Sequence, residues 1–454
     1  MDQNIKNDLD SIMNPITIET PMPFICVYNI SDLHADPESN KRWVVNNCKP
    51  ISVDNTFNIL IVPGDVASNI DRIRAVFNAL VVQYDLVMFI PGNHEAWCSP
   101  TSSKDYDSLH KLGEVLDCAE ECGVEIRPVK VISTHPAAGE NIVIIPLYSW
   151  YHSGFDSEPL LTVPVDLRRP AAEEHSGYSM AENWSDFAFC RWPRELVSHE
   201  IVADITLNDE TLAQYFAQFN AGFIAQYAKS WSELGRPPAV RSSVSPATVQ
   251  LLPTNILEQR LLSDATIHPL TSKSTHTTAP PPSPAPCEPA DFTIDRTSDF
   301  VITFSHFVPR QELTPEKRFL LEADLTKVIG SNVLEAQIRA LAPRVHLFGH
   351  THIPLDLELG GIRYVQWPLG YHREHTQQCR EVFTAGPLLV HSSPPAGPYG
   401  APVELATNME LCRLSKWSQY YKTEARDPSN MELAIWVRAR LLALRESYER
   451  MKNF

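Results

Sequence analysis

Four short motifs rich in histidine and aspartate constrain the fold of this chain more than any other feature. They are Asp32-Leu33-His34, Gly64-Asp65, Gly92-Asn93-His94-Glu95 and Gly349-His350-Thr351-His352. Each motif follows an apolar run with the length and composition of a buried strand, at 24–30, 58–62, 86–90 and 345–348. Because open α/β sheets place ligand sites beyond the carboxyl ends of their strands, the motifs predict one shared site.

The segments between these runs indicate an α/β fold. Apolar residues recur at helical spacing from Ile70 to Val81, behind the possible caps Ser68 and Asn69. The second and third strands both end in Pro-Gly, where proline stops ladder pairing and glycine allows a turn. The order of strand, helix and strand therefore places each polar motif in a loop.

The residue types in the motifs suit divalent metal ions. Asp32 and His34 are two residues apart, as are His350 and His352, and in extended backbone that spacing points both side chains the same way. The Asp65 carboxylate has two oxygens and can bridge two cations. Mixed imidazole and oxygen ligands favour Zn, Mn or Fe over Ca, without choosing among the three.

A separate histidine, His306, follows the apolar run 300–304 and completes a set of seven ligands. The set is Asp32, His34, Asp65, Asn93, His306, His350 and His352. Two adjacent ions can share a hydroxide and clamp phosphoryl oxygens, which predicts hydrolysis of a phosphate mono- or diester by attack of a metal-bridging hydroxide. His94 is the candidate general acid for the leaving oxygen, and Glu95 the candidate to orient one of its ring nitrogens.

The ordered motifs resemble those of the calcineurin-like metallophosphoesterase superfamily, over roughly 24–154 and 300–366. The resemblance implies a four-layer α/β/β/α sandwich with a large insertion, two bound metal ions, and His94 as catalytic acid. It assigns one ion to Asp32, His34, Asp65 and His352, and the other to Asp65, Asn93, His306 and His350. Asp65 precedes Val66-Ala67 rather than Arg-Gly, so the pattern of serine/threonine protein phosphatases is absent.

Changes in composition along the chain predict six regions. They are an N-terminal extension at 1–23, the first half of the core at 24–154, an aromatic and helical insertion at 155–234 that can act as a cap, a disordered Pro/Ser/Thr-rich loop at 235–299, the second half of the core at 300–378, and a tail with a docking helix at 379–454.

Three further residues are weaker candidates. Arg310 can pair with a phosphate, but a surface arginine has the same sequence signal. His152 follows the last strand before the insertion and can line a pocket. His346 lies inside a predicted strand, which favours a core or surface histidine over an alternative ligand.

Charge and cysteine content limit the partners. The chain has 38 basic and 55 acidic residues and a net charge of -17, which disfavours nucleic acid and anionic membranes. No segment is apolar for long enough to cross a bilayer. Nine cysteines without a regular pattern fit a reducing compartment, so we expect a cytoplasmic protein.

The leading prediction is therefore a metal-dependent enzyme acting on a small phosphorylated substrate. Two alternatives are a catalytically silent binding scaffold and a nuclease. Scaffolds of this superfamily usually lose a ligand or the acid histidine, and neither is missing here. The negative net charge and the lack of a basic patch in the sequence argue against a nuclease, because a nucleic acid substrate is a polyanion.

Overall fold

The computed structural model describes residues 12–51, 54–103, 106–164, 167, 184–193, 196, 210–228, 292–394 and 408–452. These residues form a mixed α/β fold with two β-sheets and flanking helices. Most of the predicted Pro/Ser/Thr-rich loop, 235–291, lies outside the described residues.

Strands and helices alternate through the first half of the chain. The strands are β1 Ile16–Thr20, β2 Phe24–Asn29, β3 Thr56–Pro63, β4 Leu86–Ile90, β5 Val129–Ser133, β6 Asn141–Pro146, β7 Asp299–Phe304, β8 Val345–Phe348, β9 Leu355–Leu359, β10 Ile362–Gln366 and β11 Leu388–Ser393. The α-helices are α1 Glu38–Asn47, α2 Ile70–Leu80, α3 Ser108–Glu121, α4 Ser185–Phe189, α5 Thr211–Tyr227, α6 Asn332–Leu341, α7 Arg380–Ala385, α8 Lys416–Thr423 and α9 Ile435–Lys452.

The two sheets differ in size. Among the described residues, one sheet has seven strands in the order β1-β5-β6-β7-β8-β10-β9, and the other has four in the order β11-β2-β3-β4. Strands β2, β3 and β4 are parallel, as are β6, β7, β8 and β10. β9 pairs antiparallel with β10 in a hairpin at the edge of the larger sheet.

The local signals in the sequence account for the helix between β3 and β4. The side chain of Asn69 accepts a hydrogen bond from Arg72 N at 3.1 Å and caps α2. The apolar stripe of α2 is buried, with Ile73 and Phe77 fully inaccessible. The predicted cap and helix are therefore confirmed.

The carboxyl ends of parallel strands from both sheets carry the motifs. In the smaller sheet, β2, β3 and β4 lead into the first three motifs, and in the larger sheet β7 and β8 lead into His306 and the fourth. Backbone hydrogen bonds join these ends, including Asp32 N to Gly64 O at 3.1 Å and Gly349 N to His306 O at 2.9 Å. One hydrophobic core contains residues of both sheets.

Two predicted boundaries need correction, because strands outside the predicted core belong to the sheets. β1 lies in the predicted N-terminal extension but pairs with β5, and β11 lies in the predicted tail but pairs with β2. Both strands find their partners more than 90 residues away in the sequence, so no local pattern indicates the pairing.

The insertion packs on the core where it is described. The Asn220 side chain in α5 accepts a hydrogen bond from Tyr148 N at 3.0 Å and donates one to Tyr148 O at 2.8 Å. The end of the predicted disordered loop is ordered, which corrects the boundary at 299. Phe292 is buried against α5, and Asp299 begins β7 and pairs with Lys130 at 2.8 Å.

The C-terminal helix α9 contacts the rest of the chain through only part of its apolar surface among the described residues. Val437 and Leu441 are buried with Leu167, whereas Trp436 is 44% and Leu442 is 40% exposed. None of the described helices combines the length and the apolar character needed to cross a membrane. The eight described cysteines are free thiols.

Candidate metal centre

The motif backbones are left-handed at most of the proposed ligands. The φ angles are positive at Asp32, His34, Asp65, His350 and His352, with values from 41° to 77°. This corrects the expectation of extended backbone within the first and fourth motifs. Residues with a Cβ rarely adopt this region, and strain of order 1–3 kcal/mol per residue is typical of functional sites.

The first group of side chains joins the ends of β2 and β8. His34 Nε2 lies 2.8 Å from His352 Nε2, and His352 Nε2 lies 3.5 Å from Asp32 Oδ1. Asp65 Oδ2 is 3.9 Å from His34 Nε2. Atoms of Asp32, His34 and His352 all lie within 4.8 Å of one another, a spacing that can hold a metal ion.

The second group lies on the other side of Asp65. His306 Nε2 is 3.5 Å from Asp65 Oδ2 and 3.1 Å from both Asn93 Oδ1 and His350 Nδ1. His350 Nδ1 is also 3.1 Å from Asn93 Oδ1. Asp65, His306 and His350 form a second group that can hold an ion. Asp65 is thus a member of the second group that also lies 3.9 Å from His34 of the first, and with His34 and His94 it forms a further group that can hold an ion.

Hydrogen bonds away from the centre orient the lone pairs of three histidines towards it. His306 Nδ1 donates to Pro63 O at 2.9 Å, and His350 Nε2 donates to Val328 O at 3.0 Å. His352 Nδ1 donates to Glu374 Oε2 at 2.8 Å. The remaining ring nitrogens of the neutral histidines His306 and His350 are acceptors that face each other at 3.1 Å, an arrangement that a cation stabilises.

Burial and neighbouring charges shift the pKa values of the proposed ligands. Burial raises the pKa of Asp65, and the neighbouring charges of Glu95 and Asp32 raise it further. Burial lowers the pKa of His306, and it lowers that of His350 to about 3, so both rings are neutral at pH 7. Burial would lower the pKa of His352 too, but its hydrogen bonds to Asp32 and Glu374 raise it to about 10, so this ring is protonated in the metal-free chain. Divalent metals bind neutral imidazoles and ionised carboxylates, so a bound ion would take the place of the protons on His352 and Asp65.

The structure corrects the predicted contact of Glu95. Its carboxylate accepts hydrogen bonds from the backbone amides of Asp65, Val66, Ala67 and Gly92, at 2.7 to 3.1 Å, rather than from a ring nitrogen of His94. Burial raises the pKa of Glu95 to about 7, and the four amides limit that rise. Glu95 thus joins the loops after β3 and β4.

Gly92 of the third motif lies so close to other side chains that only a glycine fits there. A Cβ atom at Gly92 would lie 2.2 Å from Asp65 Oδ1 and 2.8 Å from the ring of His306. No side chain fits there, because the backbone of the third motif passes directly beside the proposed ligands.

His94 lies against the same centre with its ring held on two sides. Its Nε2 is 3.8 Å from Asp65 Oδ2 and 3.2 Å from the hydroxyl of Tyr371, and its ring stacks on Trp97 with centroids 3.6 Å apart. The sequence reasoning did not identify Tyr371 or Glu374. Glu374 Oε2 accepts from Tyr371 N at 2.8 Å as well as from His352, so one carboxylate holds both residues.

The weaker candidates have other partners. Arg310 is paired with Glu312 at 2.6 Å and Glu335 at 3.3 Å. His152 is buried, and its Nε2 accepts from Asn332 N at 3.3 Å. His346 is buried within hydrogen-bonding distance of Thr303 and Ser305, at 2.9 and 3.1 Å, which confirms it as a core histidine.

The insertion also reaches the centre, which the sequence did not predict. Asp186 in α4 is 3% exposed, and its Oδ1 accepts a hydrogen bond from Asn93 Nδ2 at 2.7 Å. Trp184 lies beside His350 with ring centroids 6.0 Å apart. A single aspartate in an irregular segment carries no local signal that could have identified it.

Comparisons with known proteins give one sequence relative. No protein-family model matches the chain. Over 129 residues, the sequence is 30% identical to the acyl-carrier-protein phosphodiesterase PptH of Mycobacterium tuberculosis. The match covers 28% of this chain and 38% of that relative, so it spans well under half of the relative's length.

A solved structure is also similar. The crystal structure of phosphopantetheinyl hydrolase PptH from Mycobacterium tuberculosis aligns with 78% of this chain and 93% of its own, at 17% identity and a TM-score of 0.44. That score is below the level at which a shared fold can be inferred.

Proposed function

We propose that this protein is a binuclear metal-dependent phosphodiesterase. The observation that carries the proposal is that Asp65 belongs to two groups of side chains that can hold a metal ion, one with His34 and His94 and the other with His306 and His350, beside a third such group formed by Asp32, His34 and His352. A buried set of imidazoles, carboxylates and one amide oxygen matches the ligands that Mn, Fe and Zn prefer.

The assignment of ligands follows the two groups. Asp32, His34 and His352 would hold one ion, and Asn93, His306 and His350 the other, with Asp65 shared. When bound, such a pair of ions supplies an activated water nucleophile and stabilises the charge on the phosphoryl oxygens.

His94 would protonate the leaving oxygen. Its Nε2 lies 3.8 Å from the shared carboxylate, in a group with His34 and Asp65, while Asp32, His34 and His352 form a group without it, and the Tyr371 hydroxyl at 3.2 Å restricts its position. Stacking on Trp97 fixes the plane of the ring. An imidazole held in this way is placed to transfer a proton at the centre, although burial and the neighbouring histidines hold the pKa of His94 well below its usual value in the metal-free chain.

The sequence relative favours a diester over a monoester. Its name assigns it phosphodiesterase activity on acyl carrier protein. We therefore propose the phosphodiester of a phosphopantetheinylated acyl carrier protein as the first substrate to test, within the wider class of phosphodiesters of small molecules.

The proposed architecture is the four-layer α/β/β/α sandwich. Its support is that residues of both sheets, such as Val27 of β2 and Ile302 of β7, share one core, while helices including α2 and α6 bury apolar faces. Region 155–234 would form a cap on the core. The free cysteines are consistent with a cytoplasmic location.

Activity assays on metal-loaded protein test the proposal. Protein reconstituted with Mn should hydrolyse bis-p-nitrophenyl phosphate or release phosphopantetheine from holo-acyl carrier protein faster than it hydrolyses p-nitrophenyl phosphate. Absence of turnover on all three substrates, with two equivalents of metal bound, would favour the binding scaffold and refute the enzyme.

A matched pair of histidine variants provides the control. His135 is exposed and remote from the centre in sequence, so His135→Ala should retain the wild-type rate. His94→Ala should lose it. Equal loss in both variants would show that the measured activity does not arise from this centre.

A further inference from the structure

We infer that Asp186, supplied by the insertion, positions Asn93 for metal binding. The inference rests on the proposed metal centre, and it assigns the insertion a role beyond the choice of substrate. Its basis is one buried carboxylate that contacts a proposed ligand from outside the four motifs.

Asp186 receives hydrogen bonds from four side chains. Oδ1 accepts from Asn93 Nδ2 at 2.7 Å and from Trp97 Nε1 at 2.6 Å, and Oδ2 accepts from Trp184 Nε1 at 2.8 Å. The Tyr151 side chain also hydrogen bonds to this carboxylate. With 3% exposure, little water competes for these bonds.

The chemistry of these partners determines which way the Asn93 amide points. An ionised carboxylate only accepts, so the amino end of Asn93 faces Asp186 and the carbonyl end faces the centre. Asn93 Oδ1 is accordingly 3.1 Å from His306 Nε2 and from His350 Nδ1. A rotated amide would present two N–H donors to the ion and could not coordinate it.

The two indoles hold Asp186 in turn. Trp97 and Trp184 donate only, and they approach different oxygens of the same carboxylate. An asparagine at position 186 would place its amino group against an indole N–H or against the Asn93 amino group. Asp186→Asn therefore conserves shape but leaves at least one of these N–H donors facing an amino group, which weakens the constraint on Asn93.

The effect should be selective for one ion. Asp186 contacts Asn93 and no proposed ligand of the Asp32, His34 and His352 group. Changes to residues that orient a metal ligand typically lower metal affinity about 10- to 100-fold. We expect that loss at the Asn93 site, with the other ion bound as in the wild type.

Metal titration of the full chain tests this. Apo-protein is equilibrated with buffered Mn²⁺, and bound metal is counted by mass spectrometry of the elements for wild type, Asp186→Asn and the exposed control Asp71→Asn. The expected result is two ions in wild type and Asp71→Asn, and a weakened second step in Asp186→Asn. Unchanged affinity in Asp186→Asn, or equal weakening of both steps, overturns the inference.

A double-mutant cycle separates positioning from general support. If Asp186 acts through Asn93, adding Asp186→Asn to Asn93→Ala produces no further loss of affinity. If Asp186→Asn lowers metal affinity in the Asn93→Ala protein as much as it does in the wild type, Asp186 has a merely structural role. Asp186→Ser removes the carboxylate without adding an amino group beside the indoles, and it should show the same selective loss if Asp186→Asn does not fold.

Failure of the proposed function is distinguishable from failure of this inference. Wild-type protein that binds no Mn²⁺ refutes the metal centre and the inference together. Wild-type protein that binds two ions, with Asp186→Asn indistinguishable from it, leaves the phosphodiesterase proposal in place and refutes only the role of Asp186.

Discussion

Replacing Glu95 by glutamine tests how the metal-centre loops are held together. The Glu95 carboxylate joins the loop after β3 to the loop after β4 through four backbone amides. Oε1 accepts from Val66 and Ala67, and Oε2 accepts from Asp65 and Gly92. Glutamine has the same shape but only one acceptor oxygen, so one pair of amides must face an N–H₂ group.

The magnitude follows from the number of amides left without an acceptor. Each unsatisfied buried donor costs about 1–3 kcal/mol, so two cost roughly 2–6 kcal/mol of the free energy of unfolding. Glu95 is fully buried, and no water is available to replace the lost oxygen. Burying a neutral glutamine amide costs less desolvation energy than burying the glutamate carboxylate, which offsets part of this loss. We therefore expect Glu95→Gln to lower the free energy of unfolding by about 2 kcal/mol, the lower end of that range.

Urea denaturation followed by tryptophan fluorescence measures the change. It should be done on metal-free protein at pH 8, above the pKa of about 7, so that Glu95 is ionised in the wild type. Glu114→Gln is the matched control, because Glu114 is exposed and accepts one bond, from Tyr106. The control should change by no more than about 0.5 kcal/mol. A Glu95→Gln loss as small as that of the control would refute the reasoning.

Three further predictions address the centre and the core. His94→Ala should lower kcat about 10²- to 10⁴-fold with metal content unchanged, and loss of metal instead would show that His94 is a ligand. Asp65→Asn should lower the occupancy of both metal sites measured by elemental analysis, and full occupancy would contradict its shared position. Burial, aided by Arg344 and Arg363, lowers the pKa of His391 to about 3, below that of the unfolded chain, so its contribution is complete above about pH 6.5 and is lost as pH falls towards 3. Between pH 7 and pH 5 the wild type should lose about 2 kcal/mol of its free energy of unfolding through His391. In His391→Gln, unfolding midpoints measured at the two pH values should therefore differ less than they do in the wild type.

Local patterns predicted the strands and the loops that carry the motifs. Apolar runs such as 24–30 and 345–348 are buried strands, and the helix after Asn69 begins at its predicted cap. Such features are visible in sequence because the periodicity and the cap arise from neighbours a few residues apart. The extended backbone expected within the first and fourth motifs was wrong, since the left-handed angles there are imposed by contacts between distant loops.

The partners of the motifs were beyond the reach of sequence patterns. Glu374 holds His352 from 22 residues away, and Asp186 holds Asn93 from 93 residues away. The strand β11 completes the smaller sheet from a region predicted to be tail. None of these residues has a spacing that distinguishes it from an ordinary surface carboxylate or a short apolar run.

Strand formation and turn chemistry are local properties of the chain, so the order of residues already indicates which side chains stand at the strand ends. The orientation of those side chains arises on folding, since a histidine tautomer or an amide direction depends on the group that lies on its far side. That group is supplied by backbone carbonyls, by Glu374 and by Asp186, all brought close by folding. Orientation of the proposed ligands is therefore a property of the fold rather than of the motifs.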